Sequence, residues 1–293
     1  MSWYDLTVQM VVLTVLSGTM YLVTIEDRVL MELHRAAVDA GRRGIAVPSV
    51  DLERAVSGDV DHVTAAEAVR RLVRAGRVMR VRRDLLVLPD ATGVAGVGLV
   101  DLVAAVAPSP YLITGGRALE HFELTDQHYF VIAVLVPAEV APLAFRGERA
   151  TFFVTEPSNI WGAADDQGAR YARPERAVID ALNHPRFGVS LTQTADALIR
   201  AKSVDSDFLD HLANAVRAYG AGARNHGSRA AARRIGFVVE QLFGSSAAAP
   251  FLPMVGPNRA PVLLRPGRRR DGPIDSVWRV VVNAPVEAEL ASS

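Results

Sequence analysis

The sequence predicts an α+β protein in two domains: a winged helix-turn-helix over residues 24–92, then a larger mixed α/β domain over 99–285. Three observations predict it. Between Thr64 and Leu88 a basic helical stretch stops at a glycine and runs directly into two short β-prone stretches studded with arginine. Upstream lie two more helical patterns, which complete a helix-turn-helix. Downstream of a glycine-rich stretch, strand and helix patterns alternate to the end of the chain. At 293 residues, half of them apolar, the chain is long enough for two cores.

The first helix opens at Thr24-Ile25-Glu26-Asp27, where an acceptor side chain precedes acids near the positive end of the helix dipole. Val29, Leu30, Leu33, Ala36, Ala37 and Ala40 form its apolar stripe, and Gly41 ends it. Ile45-Ala46-Val47 suits a small strand. A short second helix is expected from Pro48-Ser49 through Val56, with Ser57-Gly58-Asp59 as the turn after it. Thr64-Ala65-Ala66-Glu67 has the form of a capping box and marks the start of the third helix. Ala68, Val69, Leu72 and Val73 recur at helical spacing, while Arg70, Arg71 and Arg74 fall largely off that face, and Gly76 supplies a left-handed stop. The wing then follows as two strands joined by a turn at Arg82-Arg83-Asp84.

Arginine is this chain's ordinary cation, since Lys202 is its one lysine, so arginine content alone carries little weight. Placement carries more. Residues 61–88 hold seven arginines against Asp61, Glu67 and Asp84, in a chain whose formal net charge is zero. That balance argues against indiscriminate coating of nucleic acid and for one local patch. In a DNA complex, Thr64 would offer a hydroxyl and backbone N–H groups to a phosphate. Glu67, Arg70, Arg71 and Arg74 would face the major groove, arginine being suited to bidentate contact with guanine. Arg80, Arg82 and Arg83 on the wing would meet phosphates or the minor groove. A second basic patch is expected at Arg224, Arg229, Arg233 and Arg234, because no acidic side chain lies between Asp210 and Glu240; Arg268-Arg269-Arg270 would join it.

Residues 8–23 are apolar, but no positive charge precedes them, Asp5 is acidic, and Gln9, Thr14, Ser17, Gly18 and Thr19 interrupt them. The segment is therefore read as an upstream start-codon choice or a small element packed on the wing domain, not as a signal peptide or membrane span. With no cysteine, neither disulfides nor thiolate zinc sites are available, and a cytoplasmic location is expected. The glycines of Gly93-Val94-Ala95-Gly96-Val97-Gly98 lack the spacing and the Lys-Ser/Thr ending of a phosphate loop and read as a linker.

The second domain is expected to open with a helix at Leu99–Ala107, stopped by Pro108-Ser109-Pro110. A short strand at Tyr111–Thr114 leads through Gly115-Gly116 into a helix near Arg117, followed by strands at Tyr129–Val136 and Thr151–Val154. Trp161-Gly162 is expected in a polar loop running to Gly168, before a helix with Pro174 in its first turn. Further helices fit Ser190–Ala201, Asp205–Tyr219 and Ser228–Phe243, and Val262–Leu264 with Val277–Asn283 reads as a closing hairpin pair.

No catalytic set is apparent. The seven histidines show no metal-ligand spacing, with His121 and His128 read as flanking a loop, and there is no Gly-x-Ser-x-Gly elbow. A nuclease's carboxylate set is incomplete too: Glu175 and Asp180 lack a Glu-x-Lys partner, since Lys202 stands alone, so Glu175 reads as a helix cap and Asp180 as salt-bridged. No catalytic residue, metal or cofactor is therefore expected.

Three stretches, taken in order, carry a family resemblance. They are Pro110-Tyr111-Leu112-Ile113-Thr114-Gly115-Gly116-Arg117-Ala118-Leu119-Glu120-His121-Phe122-Glu123-Leu124-Thr125, then Ala172-Arg173-Pro174-Glu175-Arg176-Ala177-Val178-Ile179-Asp180-Ala181-Leu182, then Ala232-Arg233-Arg234-Ile235-Gly236-Phe237-Val238-Val239-Glu240. With the basic winged helix before them and the strand at Trp278–Asn283 after, the chain resembles the AbiEi family of antitoxins, particularly its mycobacterial members, over roughly Thr24 to Asn283. It departs from the family pattern at Phe122-Glu123, where a His-Gly pair would precede Leu124. The resemblance implies a repressor of its own toxin–antitoxin operon that binds inverted repeats in double-stranded DNA. It further implies a C-terminal domain that counteracts a nucleotidyltransferase-like toxin, with no membrane partner. The other reading is a ligand-responsive winged-helix regulator, with Trp161, Tyr129 and Tyr171 lining an effector pocket in the second domain.

Overall fold

In the computed structural model the described residues are 12–16, 19–39, 46–48, 62–82, 85–88, 97–219, 226–257 and 260–287. They form two compact units that divide after Val106.

In the first unit β1 (Val12–Leu16) and β2 (Thr19–Val23) pair antiparallel, with Val12 opposite Val23. The apolar N-terminal stretch is thus a hairpin where it is described, and no described helix is long and apolar enough to cross a membrane. The first helix, α1 (Ile25–Asp39), starts where its cap residue predicts. Thr24 Oγ1 accepts the Asp27 N–H at 3.1 Å and donates to Asp27 Oδ2 at 2.8 Å, satisfying a donor the first turn would leave unpaired. Strand β3 (Ala46–Pro48) follows, so Pro48 ends a strand; the rest of the expected second helix, 49–56, lies outside the described residues.

Helix α2 (His62–Arg74) begins two residues before Thr64, which therefore sits inside the first turn and is not a cap. Its expected capping partner, Glu67, is drawn instead to Arg70 and Arg71 on the following turn. The stop is as expected: Gly76 takes φ +70°, its N–H bonds Val73 O, and the Arg77 N–H reaches back to Leu72 O, the paired bonds of a Schellman ending. Strands β4 (Met79–Arg82) and β5 (Leu85–Val87) complete an antiparallel sheet of order β3-β5-β4. Val29 and Leu33 of α1, Ala65, Ala68, Val69 and Leu72 of α2, and Val78, Leu86 and Leu88 close over one core. Helix α3 (Leu99–Val106), expected in the second domain, belongs to this unit and packs against β3, with Leu99, Leu102 and Val103 fully buried.

The second unit is built on a six-stranded mixed sheet. It comprises β6 (Leu112–Thr114), β7 (Val131–Val136), β8 (Leu143–Phe145), β9 (Glu148–Val154), β10 (Ala163–Asp166) and β11 (Ala169–Ala172), in the order β10-β11-β6-β7-β9-β8. The β11–β6 and β7–β9 pairs are parallel and the others antiparallel. Two hairpins escape the sequence pattern. Residues 163–172, of which those to Gly168 were expected as loop, turn at Gln167-Gly168, and 143–154, of which Thr151–Val154 was expected as strand, turn at Arg146-Gly147. Both central residues have positive φ in each turn (48° and 86°, 50° and 85°), so these are two-residue hairpin turns formed without the Asn-Gly or Asp-Gly pair that would announce them.

Helix α4 (Gly116–His121) is followed by Glu123 at φ +57°, whose N–H donates to Glu120 O, while the Leu124 N–H bonds Leu119 O. A glutamate here holds a conformation that favours glycine. Helix α5 (Pro174–Asn183) is the hub of the helical layer, touching α4, α6 (Leu191–Val204), α7 (Phe208–Tyr219) and α8 (His226–Phe243). Ser190 and Gln193 form a reciprocal capping box at the start of α6. A short α9 (Ser245–Ala248) follows α8. The chain closes with β12 (Val262–Leu263) and β13 (Val280–Val281), which pair parallel and not as the expected hairpin. The reversal lies later than expected: Asp275 Oδ1 takes the Val277 and Trp278 N–H groups, turning the chain back so that Val281 bridges Ile274 antiparallel.

Candidate nucleic-acid interface

The periodicity of α2 settles which way its arginines face. Ala65, Ala68, Val69 and Leu72 are buried against α1 and the sheet. Arg70, Arg71 and Arg74 are left on the open face, the side chains of Arg70 and Arg71 being 60% and 54% exposed. Thr64 and Glu67 are half-buried. Arg80 on β4 is exposed and Arg82 half-buried, with the register of β4 against β5 shifting between them; Arg83 lies outside the described residues.

Part of this charge is already engaged. Glu67 accepts from Arg70 Nη1 and lies 3.9 Å from Arg71 Nε, and Arg71 Nη1 is 3.2 Å from Glu26 at the start of α1. Arg77 donates to Asp27 at 2.9 Å. The bonds from Thr24 and Arg77 hold the Asp27 carboxyl below its ordinary range. Glu26 and Asp27 thus do more than favour their own helix dipole: they tie the N-terminus of α1 to the C-terminal half of α2 and to the turn that follows it. Exposed pairs of this kind are worth about 0–1 kcal/mol, so a phosphate competes readily for the same guanidinium. Arg74 and Arg80 have no hydrogen-bond or ion-pair partner among the described residues.

Within the expected second basic patch, Arg233 and Arg234 turn inward. Arg233 is 2% exposed, and its guanidinium donates to Ala260 O at 2.8 Å and Val255 O at 3.2 Å. Arg234 donates from Nε to Leu263 O at 2.8 Å and from Nη1 to Asn183 Oδ1, and burial lowers its pKa to about 10. Arg229 packs over Gly256, and Arg224 lies outside the described residues. Arg233 and Arg234 bind the chain that follows α8 through its backbone carbonyls. Planar guanidinium with five donors serves that task, and sequence alone does not separate it from a solvated cation. Arg268, Arg269 and Arg270 remain exposed.

The polar centre of the second unit surrounds α5. Asp180 is fully buried; its Oδ2 accepts from Thr114 Oγ1 at 2.6 Å and from Arg176 Nε at 3.0 Å. Asp180 is therefore salt-bridged as the sequence suggested, one helical turn from its partner. Glu175 lies in the first turn, but no side chain caps the helix start at Arg173. Arg176 also donates to Asn159 O at 3.0 Å and lies 4.6 Å from the Trp161 ring and 5.1 Å from that of Tyr219. His184 Nε2 is 2.9 Å from the Tyr219 hydroxyl. Burial pushes the His184 pKa down and that of Tyr219 up, favouring the neutral form of each. Of the aromatic residues expected around an effector pocket, Trp161 lines a cavity here. Tyr129 instead packs beneath Gly116, and Tyr171 stacks on His121 with centroids 3.7 Å apart. Arg176, His184, Arg186 and Tyr219 were not foreseen as neighbours of Trp161; the Arg-x-x-x-Asp spacing of 176–180 is their one local signal.

No protein-family model and no curated protein matches the chain. Among solved structures it is similar to the crystal structure of the Rv2827c protein from Mycobacterium tuberculosis, with a TM-score of 0.56 and 14% identity, covering 88% of this chain and 92% of that one. At that identity the likeness is one of fold.

Proposed function

We propose that the protein is a sequence-specific DNA-binding repressor, an AbiEi-type antitoxin that controls its own operon and counteracts a nucleotidyltransferase-like toxin. One observation carries the DNA-binding part: Arg70, Arg71 and Arg74 share the open face of a helix that feeds directly into a strand pair bearing Arg80 and Arg82. The β3-β5-β4 order, with α1 and α2 packed over it, supports a winged helix. In such a unit α2 enters the major groove and the β4–β5 wing follows the backbone. Arg74, which makes no competing ion pair among the described residues, is the first choice for a base contact, with Arg70 and Arg71 released from Glu67 as phosphates replace it. The antitoxin role rests on the ordered stretches at 110–125, 172–182 and 232–240 and assigns toxin control to the second unit.

The test is fluorescence anisotropy of the full chain on a duplex carrying an inverted repeat from upstream of its own reading frame, against a scrambled duplex, over a salt series. With about five phosphates neutralised, log affinity should fall with log salt at a slope near −4.5. Arg82→Ala with Arg83→Ala should weaken both duplexes alike and flatten that slope. Arg74→Ala should remove about 1–3 kcal/mol of discrimination between them. Equal affinity of the unaltered protein for both duplexes would overturn sequence-specific binding, and an unchanged slope in the double variant would overturn the wing assignment.

A further inference from the structure

The cavity beside α5 lies wholly within the second unit and has a volume of about 230 Å³. Phe153, Trp161, Phe187 and Tyr219 supply aromatic walls, and Arg176 and Arg186 also line it. The Phe153 and Phe187 rings are 5.0 Å apart, and Arg186 lies 4.7 Å above Phe153.

Charge around the cavity is unbalanced. Arg176, Arg186 and Arg234 gather about His184 with Asp180 as the one carboxylate of the group. Asp180 is taken by Arg176, while Arg234 bonds only carbonyl oxygens, and Arg186 has no ion-pair partner among the described residues. His184 is kept neutral by burial and adds no charge. Arg176 itself is 4% exposed at its side chain, and of its donors Nε and Nη1 are engaged, whereas Nη2 bonds no described residue. A buried guanidinium with a spare donor, lining an aromatic cavity beside another arginine that makes no ion pair among the described residues, is suited to an anionic group.

Volume restricts what carries that anion. A cavity of about 150 Å³ holds benzene, so this one leaves about 80 Å³ beyond a single ring. A single ring with one small substituent fits that volume.

We propose that this cavity binds a small aromatic monocarboxylate, its ring held among Phe153, Trp161 and Phe187 and its carboxylate received by Arg176 and Arg186. The site is independent of the DNA-binding reading. Its occupant is recognised by a flat apolar body and one planar anion, which a guanidinium can meet with two parallel hydrogen bonds.

The experiment is a titration of the full chain with benzoate, without DNA, followed by tryptophan fluorescence and calorimetry. Saturable quenching by benzoate is expected, and it should disappear in Trp161→Phe while calorimetric binding persists. Benzyl alcohol, acetate and inorganic phosphate should each bind at least about tenfold more weakly, since each lacks the ring or the charge-assisted carboxylate bonds. Arg186 is exposed, so Arg186→Gln should keep the thermal midpoint and lose benzoate affinity about tenfold. The proposal is overturned by no saturable benzoate binding in either measurement. It is equally overturned by benzyl alcohol or phosphate binding as tightly as benzoate, by quenching that survives Trp161→Phe, or by undiminished affinity in Arg186→Gln.

Discussion

Asp180 has no contact with water, and its partners answer for its charge: a hydroxyl from Thr114 on β6 and a guanidinium from Arg176 one turn back on α5. Removing one member of such a pair strands the other in a low dielectric. Asp180→Ala should cost about 3–5 kcal/mol, read as a shift in the urea midpoint, while a surface pair such as Arg70–Glu67 should be nearly silent in the same assay. His184 makes a pH prediction. Burial lowers its pKa first of all; Asp180 opposes that shift, and Arg186, Arg176 and Arg234 reinforce it. The unfolded chain protonates this imidazole near pH 6.5, whereas the folded protein resists until lower pH. Stability from this residue is therefore intact above about pH 6.5 and is lost as pH falls toward the folded value. His184→Gln should flatten the decline in thermal midpoint between about pH 7 and about pH 5, and an identical decline in the variant would assign it elsewhere.

Helix α8 shows what an element owes to one small residue. A Cβ at Gly236 would stand 2.0 Å from Trp278 Cζ3, and that indole is 1% exposed, with its N–H donated to Glu240 Oε2 at 2.7 Å. The glycine permits helix and indole to meet, so it serves packing and not backbone freedom. Gly236→Ala should force the ring out and cost about 3 kcal/mol, at the upper end of overpacking, with loss of the Trp278 near-ultraviolet signal. Elements differed in how legible they were. The starts and stops of α1, α2 and α5 depend on Thr24, Gly76 and Pro174, whose effects are local, and their chemistry is visible in sequence. The β8–β9 and β10–β11 hairpins were not, because Arg146-Gly147 and Gln167-Gly168 lack the usual turn pair, and the β10 residues are poor strand formers held by β11.

For the whole molecule, formal neutrality hides an uneven charge distribution. Of the excess in residues 61–88, Arg70, Arg71 and Arg74 lie on the open side of α2 and Arg80 and Arg82 on β4, where salt-dependent DNA affinity is predicted. The equally basic stretch at 229–234 turns inward and holds the chain after α8. Both were readable as arginine-rich helices, and only burial separates them. The unit boundary behaves similarly: α3 is apolar enough to serve either side, and its docking on β3 decides that it belongs with the first.

The sequence by itself determined the two-part α+β organisation, most helices, the β3, β4 and β5 strands, and the outward face of α2, since caps, periodicity and glycine stops act within a few residues. Tertiary structure alone decided the order of the six-stranded sheet, the parallel closure of β12 on β13, the inward turn of Arg233 and Arg234, and the meeting of Arg176, His184, Arg186 and Tyr219 around one cavity. Those features depend on groups brought together from distant parts of the chain. Whether an arginine meets water, a carbonyl or a ring is set by what the rest of the chain places beside it, and no local pattern encodes that.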